Sequence, residues 1–280
     1  MSRTDLTTSE ALRQYDAMPA QEQSLPFTDT AGRRVAGVLA EPSRRTDRAV
    51  LLCHGFLSGK NSNTNRALTD LLLPEGISTF RFDWFGVGES DGEFADLTVT
   101  ACLDQVGQAL RVLLARGYGR VGLIGSSFGG LVATLAAAQD RPGRPVLAAL
   151  GLKCPAPDFP EMLRLEFGED GMDRWKRTGQ IPDVTGGTKP VRLKFRFYED
   201  CLGYDAYKAA ETIRAPVLIV QGECDEYVPL SQSRRLFDAL RSEKHLSVLP
   251  GATHGFSRPE DFRTMVRLLA DWMTRHLPAP

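Results

Sequence analysis

Cysteine is scarce and unpatterned in this chain: its five residues, Cys53, Cys102, Cys154, Cys201 and Cys224, stand far apart with no CxxC pair. That argues against a disulfide framework and against a zinc-knuckle site. Histidine is rarer still, with four residues, His54, His245, His254 and His276, so imidazole chemistry has few candidates. Long apolar runs are missing, and no window approaches the roughly eighteen apolar residues of a membrane span. The opening "MSRTDLTTSEALRQYDAMPAQEQS" is polar and lacks the apolar core of a signal peptide. No charge sign dominates: 34 Lys+Arg face 35 Asp+Glu for a formal net charge of −1, which removes the electrostatic argument for a nucleic-acid partner. These absences lead to the expectation of a cytoplasmic protein, monomer or homodimer, with a small-molecule partner and no membrane span.

What is present is an ordinary globular composition, 42 % hydrophobic and 25 % charged over 280 residues, enough to bury a large core. Residues 1–22 read as an N-terminal arm. After an entering hairpin around "TAG", apolar runs alternate with helical spacings. "RAVLLCHGF", "ISTFRFDWFG", "RVGLIG", "RPVLAALGLKCP", "APVLIVQGECD" and "KHLSVLPG" read as strands. Val99, Leu103, Val106, Leu110 and Leu113 mark an amphipathic helix capped by Gly117. Ser257 and Glu260 suggest a capping box for a terminal helix. Near-continuous apolar strands between helices predict an α/β fold, a mainly parallel sheet covered by helices on both faces. Reactive groups in such folds gather at the carboxyl ends of the strands.

The alternation breaks over 155–204, between the fourth and fifth core strands, which divides the core into 23–154 and 205–280. That insertion holds seven of the 23 aromatic residues, and its "VRLKFRF" alternates as one arm of a small hairpin would. It is expected to cap a site, with Phe159, Met162, Phe167, Trp175, Phe195 and Phe197 as candidate substrate contacts or, equally, as the cap's own core. Arg192, Lys194 and Arg196 could steer an anionic substrate or simply be a solvated face.

Gly125-Ser126-Ser127-Phe128-Gly129 fits G-x-S-x-G between an apolar strand and a small-residue helix. The motif needs that elbow, which presents its central serine in a strained, exposed conformation, and side chains at the flanking glycines would collide. The register selects Ser127, because Ser126 would set Ile124 and Phe128 where small residues are needed. A serine hydroxyl needs a base to become a nucleophile. His254, in the loop after the last strand, is the preferred base and His54 its rival, whereas His245 and His276 fit surface or core-edge roles. Asp225 follows the fifth core strand beside Glu223 and Glu226, and it would orient the imidazole and stabilise its charged form. Backbone N–H groups of Phe128 and of Phe56, in "CHGFLSG", would hold an oxyanion. The chemistry calls for no cofactor and no metal. "GVGESDG" lacks the third glycine spacing of a dinucleotide loop, so a nicotinamide or flavin site is rejected.

With these residues in hand, the chain resembles the α/β-hydrolase superfamily over roughly 26–277 apart from the cap. The resemblance lies in "HGF" at 54–56, "FDWFGVGES" at 82–90, "GSSFGG" at 125–130, "GECDEYVP" at 222–229 and "GATHGF" at 251–256. Within it, the chain is most similar to the cinnamoyl (feruloyl) esterase-like carboxylesterases. The resemblance implies an α/β-hydrolase fold and a serine carboxylesterase with Ser127 as nucleophile, His254 as base and Asp225 as its orienter. Thioester, amide or peptide, acyl-transfer and perhydrolase chemistry could use the same residues. Aspartate-nucleophile dehalogenases and epoxide hydrolases are disfavoured by the serine. A ligand-binding protein on a hydrolase scaffold is the alternative from outside enzymology.

Overall fold

The computed structural model describes residues 21–139, 146–182 and 189–279. The expected arm over 1–22 lies outside these, except for Gln21 and Glu22, which open the first strand. The described chain begins with β1 (Gln21–Ser24), the short ribbon of β2 (Phe27–Thr28) and β3 (Arg34–Val35), and β4 (Gly37–Glu41). Then follow β5 (Arg48–Cys53), α1 (Asn63–Leu72), β6 (Ser78–Phe82), α2 (Val99–Ala115), β7 (Arg120–Ser126), α3 (Phe128–Ala137) and β8 (Val146–Lys153). The inserted segment carries α4 (Phe159–Thr178), β9 (Gln180–Ile181), β10 (Val191–Arg192) and α5 (Arg196–Cys201), with α6 (Ala206–Ala210) after it. β11 (Val217–Gly222), α7 (Leu230–Ala239), β12 (Lys244–Leu249) and α8 (Pro259–His276) complete the described fold.

Eight strands form one sheet in the order β1-β4-β6-β5-β7-β8-β11-β12. β6 through β12 in that order run parallel, and β4 and β1 add antiparallel at one edge. The strands are apolar on both faces because both faces are covered, which is why they read as continuous runs rather than alternations. Within β5 the two-residue period sorts side chains: Ala49, Leu51 and Cys53 join the core that includes α2 and α3. Val50 and Leu52 join the core under α1 and α8, with Leu269 and Met273. Each large apolar side chain, once buried, contributes about 1.5–3 kcal/mol. No helix among the described residues is long and apolar enough to cross a membrane.

Two local expectations are corrected. The "VRLKFRF" arm pairs for two residues only, Val191 with Ile181 and Arg192 with Gln180; residues 183–188 before it lie outside the described residues. Leu193 then donates its N–H to Gly179, Lys194 to Ala95, and the chain enters α5 at Arg196. Alternating burial of Leu193 and Phe197 survives because a turn, not a strand, separates them. At α8 the N-cap is Arg258 rather than Ser257. Pro259 presets the first helical φ, and the Arg258 guanidinium spans Asp261 at 2.6 Å and the Pro250 carbonyl at 2.9 Å.

Candidate active site

Ser127 sits between β7 and α3 at φ 52, ψ −115, a backbone conformation that L residues avoid. Its N–H donates to the Lys153 carbonyl at 2.8 Å and its own carbonyl accepts from Gly130 at 2.8 Å. The hydroxyl does not cap α3. Ser126 and Phe128 are buried on either side, while Ser127 keeps partial exposure. A Cβ at Gly125 would strike the Gly129 carbonyl, and one at Gly129 would strike the carbonyls of Cys53 and His54. The elbow therefore packs backbone to backbone against the end of β5, so that even a Cβ at Gly55 would come within 3.6 Å of Ser127 Cβ.

Asp225 and His254 come together across the ends of β11 and β12. His254 Nδ1 lies 2.8 Å from Asp225 Oδ2 and 3.0 Å from Oδ1. A carboxylate cannot donate, so the Nδ1 proton points at Asp225, and in the neutral ring Nε2 carries the lone pair. The Asp225 side chain is 1 % exposed. Burial works to raise its pKa, but His254, the Val228 N–H and the Cys154 thiol together hold it below the ordinary value. Asp225 Oδ1 also accepts from the N–H of Tyr227 at 3.0 Å and of Val228 at 2.8 Å. Asp225 Oδ2 accepts from Gln221 Nε2 at 2.7 Å, and Ser233 orients that amide through Oε1 at 2.7 Å. Glu226 accepts the His254 backbone N–H at 3.0 Å, and the Tyr227 ring stands edge-on to the imidazole, 5.4 Å between centroids.

His54 is committed elsewhere. Its Nδ1 lies 2.8 Å from the Gly55 carbonyl and its Nε2 accepts the Trp84 N–H at 3.2 Å. Burial pushes its pKa down to about 4. It is a neutral strut of the β5 loop. In the same loop and at the start of α3, the N–H groups of Phe56 and Phe128 meet no backbone acceptor outside the regular elements among the described residues.

The aromatic candidates divide by burial. Phe159, Trp175 and Phe197 are fully buried, Met162 is 8 % exposed, and Phe167 and Phe195 are half-buried. The Phe56 ring lies 5.4–5.9 Å from the rings of Phe94, Phe128, Phe159 and Phe197. Lys194 and Arg196 are engaged by Asp96 at 2.7 and 3.7 Å, and Arg192 is exposed on β10. "GVGESDG" wraps the buried Asp83 carboxylate, which accepts from Lys60 N at 2.8 Å and Glu89 N at 3.1 Å. A side chain at Gly88 would overlap that carboxylate.

Four contributors escaped the sequence reading: Gln221, Glu226 in its bond to the His254 backbone, Lys153 and Cys154. Their signal was position alone, since each lies at or just beyond a strand's carboxyl end. Cys154, Asp225 and His254 offer atoms within 4.8 Å of one another, a spacing that a metal could use. Burial pushes the Cys154 thiol pKa far up, so it is a protonated donor. Asp225 already accepts the Nδ1 proton and the N–H groups of Gln221, Tyr227 and Val228. The donor set is filled by its own hydrogen bonds.

Residues 50–264 match the alpha/beta hydrolase family. An uncharacterized 31.7 kDa protein of the traX-finO intergenic region of Escherichia coli is 25% identical, covering 81% of this chain and 91% of that protein. Mouse palmitoyl-protein thioesterase ABHD10, mitochondrial, is 26% identical over 69% of this chain and 64% of its own length. In structure, the chain superposes on Est1E of Butyrivibrio proteoclasticus, solved with ferulic acid bound, with a TM-score of 0.77. That match has 24% identity and covers 90% of this chain and 99% of that one.

Proposed function

The chain belongs to the alpha/beta hydrolase family, and on that premise we propose that it is a serine hydrolase cleaving carboxylic esters through an acyl-enzyme. The observation that supports this best is the Asp225–His254 pair at 2.8 Å, which leaves Nε2 basic at the edge where the strained elbow presents Ser127. In the proposed reaction Ser127 Oγ bonds to the substrate carbonyl carbon while Nε2 takes the hydroxyl proton. The carbonyl oxygen becomes an oxyanion held by the N–H groups of Phe56 and Phe128, the second aided by the positive end of α3. Collapse breaks the bond to the alcohol oxygen, which leaves with the proton from Nε2. Water, deprotonated by the same nitrogen, then cleaves the acyl-enzyme and returns the proton to Ser127. Every proton taken is given back, and no external acid or cofactor enters.

The segment 155–204 is proposed as the cap over this site, and its less buried aromatics, Phe167 and Phe195, together with Met162, as contacts for an apolar or aromatic acyl group. Ferulic acid bound to Est1E supports an aromatic acyl group. The mouse relative named a palmitoyl-protein thioesterase favours a second reading, the same chemistry on a thioester. Matched oxygen esters and thioesters, each with feruloyl and straight-chain acyl groups, separate the two. Ser127→Ala is expected to abolish p-nitrophenyl ester turnover and labelling by a fluorophosphonate; turnover retained in that variant would overturn the assignment.

A further inference from the structure

Lys153 and Cys154 turn the chain out of β8, and the acyl-transfer scheme uses neither. Yet this dipeptide reaches all three residues of the scheme. The Lys153 carbonyl accepts the Ser127 N–H at 2.8 Å. Its ammonium donates to the His254 carbonyl at 2.8 Å. The Cys154 sulfur lies within 4.8 Å of the Asp225 carboxylate and of a His254 ring nitrogen. β8 lies between β7 and β11 in the sheet, so its carboxyl end adjoins the serine and acid loops, and the Lys153 side chain reaches on to the histidine loop.

Both residues hold arrangements that packing alone would not select. Lys153 is 7 % exposed, and its ammonium is partnered by a carbonyl and by the face of Phe256 at 5.3 Å, neither of which carries a full negative charge. A buried cation so weakly compensated is costly where an apolar side chain would also fit the strand. Cys154 stands at φ 40, and its N–H is held by the Val220 carbonyl at 2.8 Å. The other described non-glycine residues with positive φ are Leu57, Ser127 and Phe256, in the loops after β5, β7 and β12. Backbone strain is thus concentrated at one edge of the sheet, and the β8 corner shares it.

We propose that Lys153 and Cys154 are positioning residues that fix Ser127, His254 and Asp225 relative to one another. The inference rests on the serine-hydrolase reading and adds a fourth strand end to its machinery. The Lys153 ammonium holds the His254 backbone by its carbonyl while Glu226 holds it by its N–H, so the loop that carries the imidazole is tied at both polar groups of that residue.

The test compares Lys153→Met, Lys153→Arg, Cys154→Ala and Cys154→Ser with the wild type and Ser127→Ala. Each is assayed for p-nitrophenyl ester hydrolysis, fluorophosphonate labelling rate and thermal unfolding. Lys153→Met is expected to lower kcat about 10- to 100-fold with KM nearly unchanged. Lys153→Arg, which keeps a donor for the His254 carbonyl, restores most of it. Cys154→Ala lowers kcat, and Cys154→Ser, which keeps a donor, recovers most of it. A folded Lys153→Met with wild-type kcat overturns the proposal. Should Lys153→Met fail to fold, the cysteine pair decides: wild-type kcat in Cys154→Ala overturns it. If Ser127→Ala is labelled as fast as wild type, the hydrolase reading has failed instead.

Discussion

At Asp225, geometry and charge pull in the same direction. The carboxylate is sealed from water, takes two backbone N–H donors, an amide and the imidazole, and is held below an ordinary aspartate. An aspartate on a solvated loop would need none of these partners. The arrangement suits a group that stays ionised beside a histidine that, in the proposed reaction, becomes charged in each turnover. Asp225→Asn preserves the shape but turns an amide N–H toward the imidazole or removes the charge that steadies it. It is expected to cut p-nitrophenyl ester turnover about 10⁴-fold, as in the serine-protease precedent, with KM little altered; retention of most of the activity would give the orienting role to another group. Ser127 and its register were readable because the rule there is local: two glycines forced by backbone packing within five residues. Asp225 and His254 were readable from their places after strands. Gln221, Lys153 and Cys154 were not, since a polar residue at the end of an apolar strand gives no hint of the loop it will meet.

Among the elements, the inserted segment is held to the core chiefly by aromatic rings. Phe128 on α3 contacts Phe159 on α4 at 5.1 Å and Phe197 on α5 at 5.7 Å, and the rings of Phe159 and Phe197 meet edge-on at 5.8 Å. Polar ties supplement them, with Asp200 accepting from Thr100 N at the start of α2 at 3.0 Å. Phe197→Ala should therefore cost about 3–5 kcal/mol, seen as a lower urea midpoint. Leu165→Ala, at a residue 64 % exposed on α4, should stay within about 0.5 kcal/mol. Equal losses from the two would show that the cluster is not what secures the segment. The sequence's period of two through Phe197 suggested a strand because alternation over seven residues cannot distinguish a strand from a ribbon end, a turn and a helix start. The capping pattern at Ser257 is displaced by one residue: Arg258 stands at the N-cap with no side-chain cap bond, and Pro259 presets the first helical φ.

For the molecule as a whole, the alternation of apolar strands and helices made the parallel sheet legible, while the antiparallel edge of β1 and β4 had to be seen. That sheet gathers its strained non-glycine residues at the carboxyl ends of its strands, and the buried carboxylate held there ties the stability of the fold to acid. The sign follows from linkage. Asp225 has a folded pKa below its unfolded value near 3.8, so at intermediate pH the unfolded chain binds its proton more readily than the folded one. Stability from the pair is fully present above the unfolded value and is lost as pH falls through the lower folded value. Wild type and Asp225→Asn should accordingly differ in urea midpoint at about pH 5 and converge towards about pH 3 and below. The substituted amide has no proton to gain, so the midpoint of that variant carries the acid response of every other group and serves as the baseline. A gap that stays constant over this window would mean that the Asp225 charge contributes nothing net to folding, and that its burial serves catalysis alone.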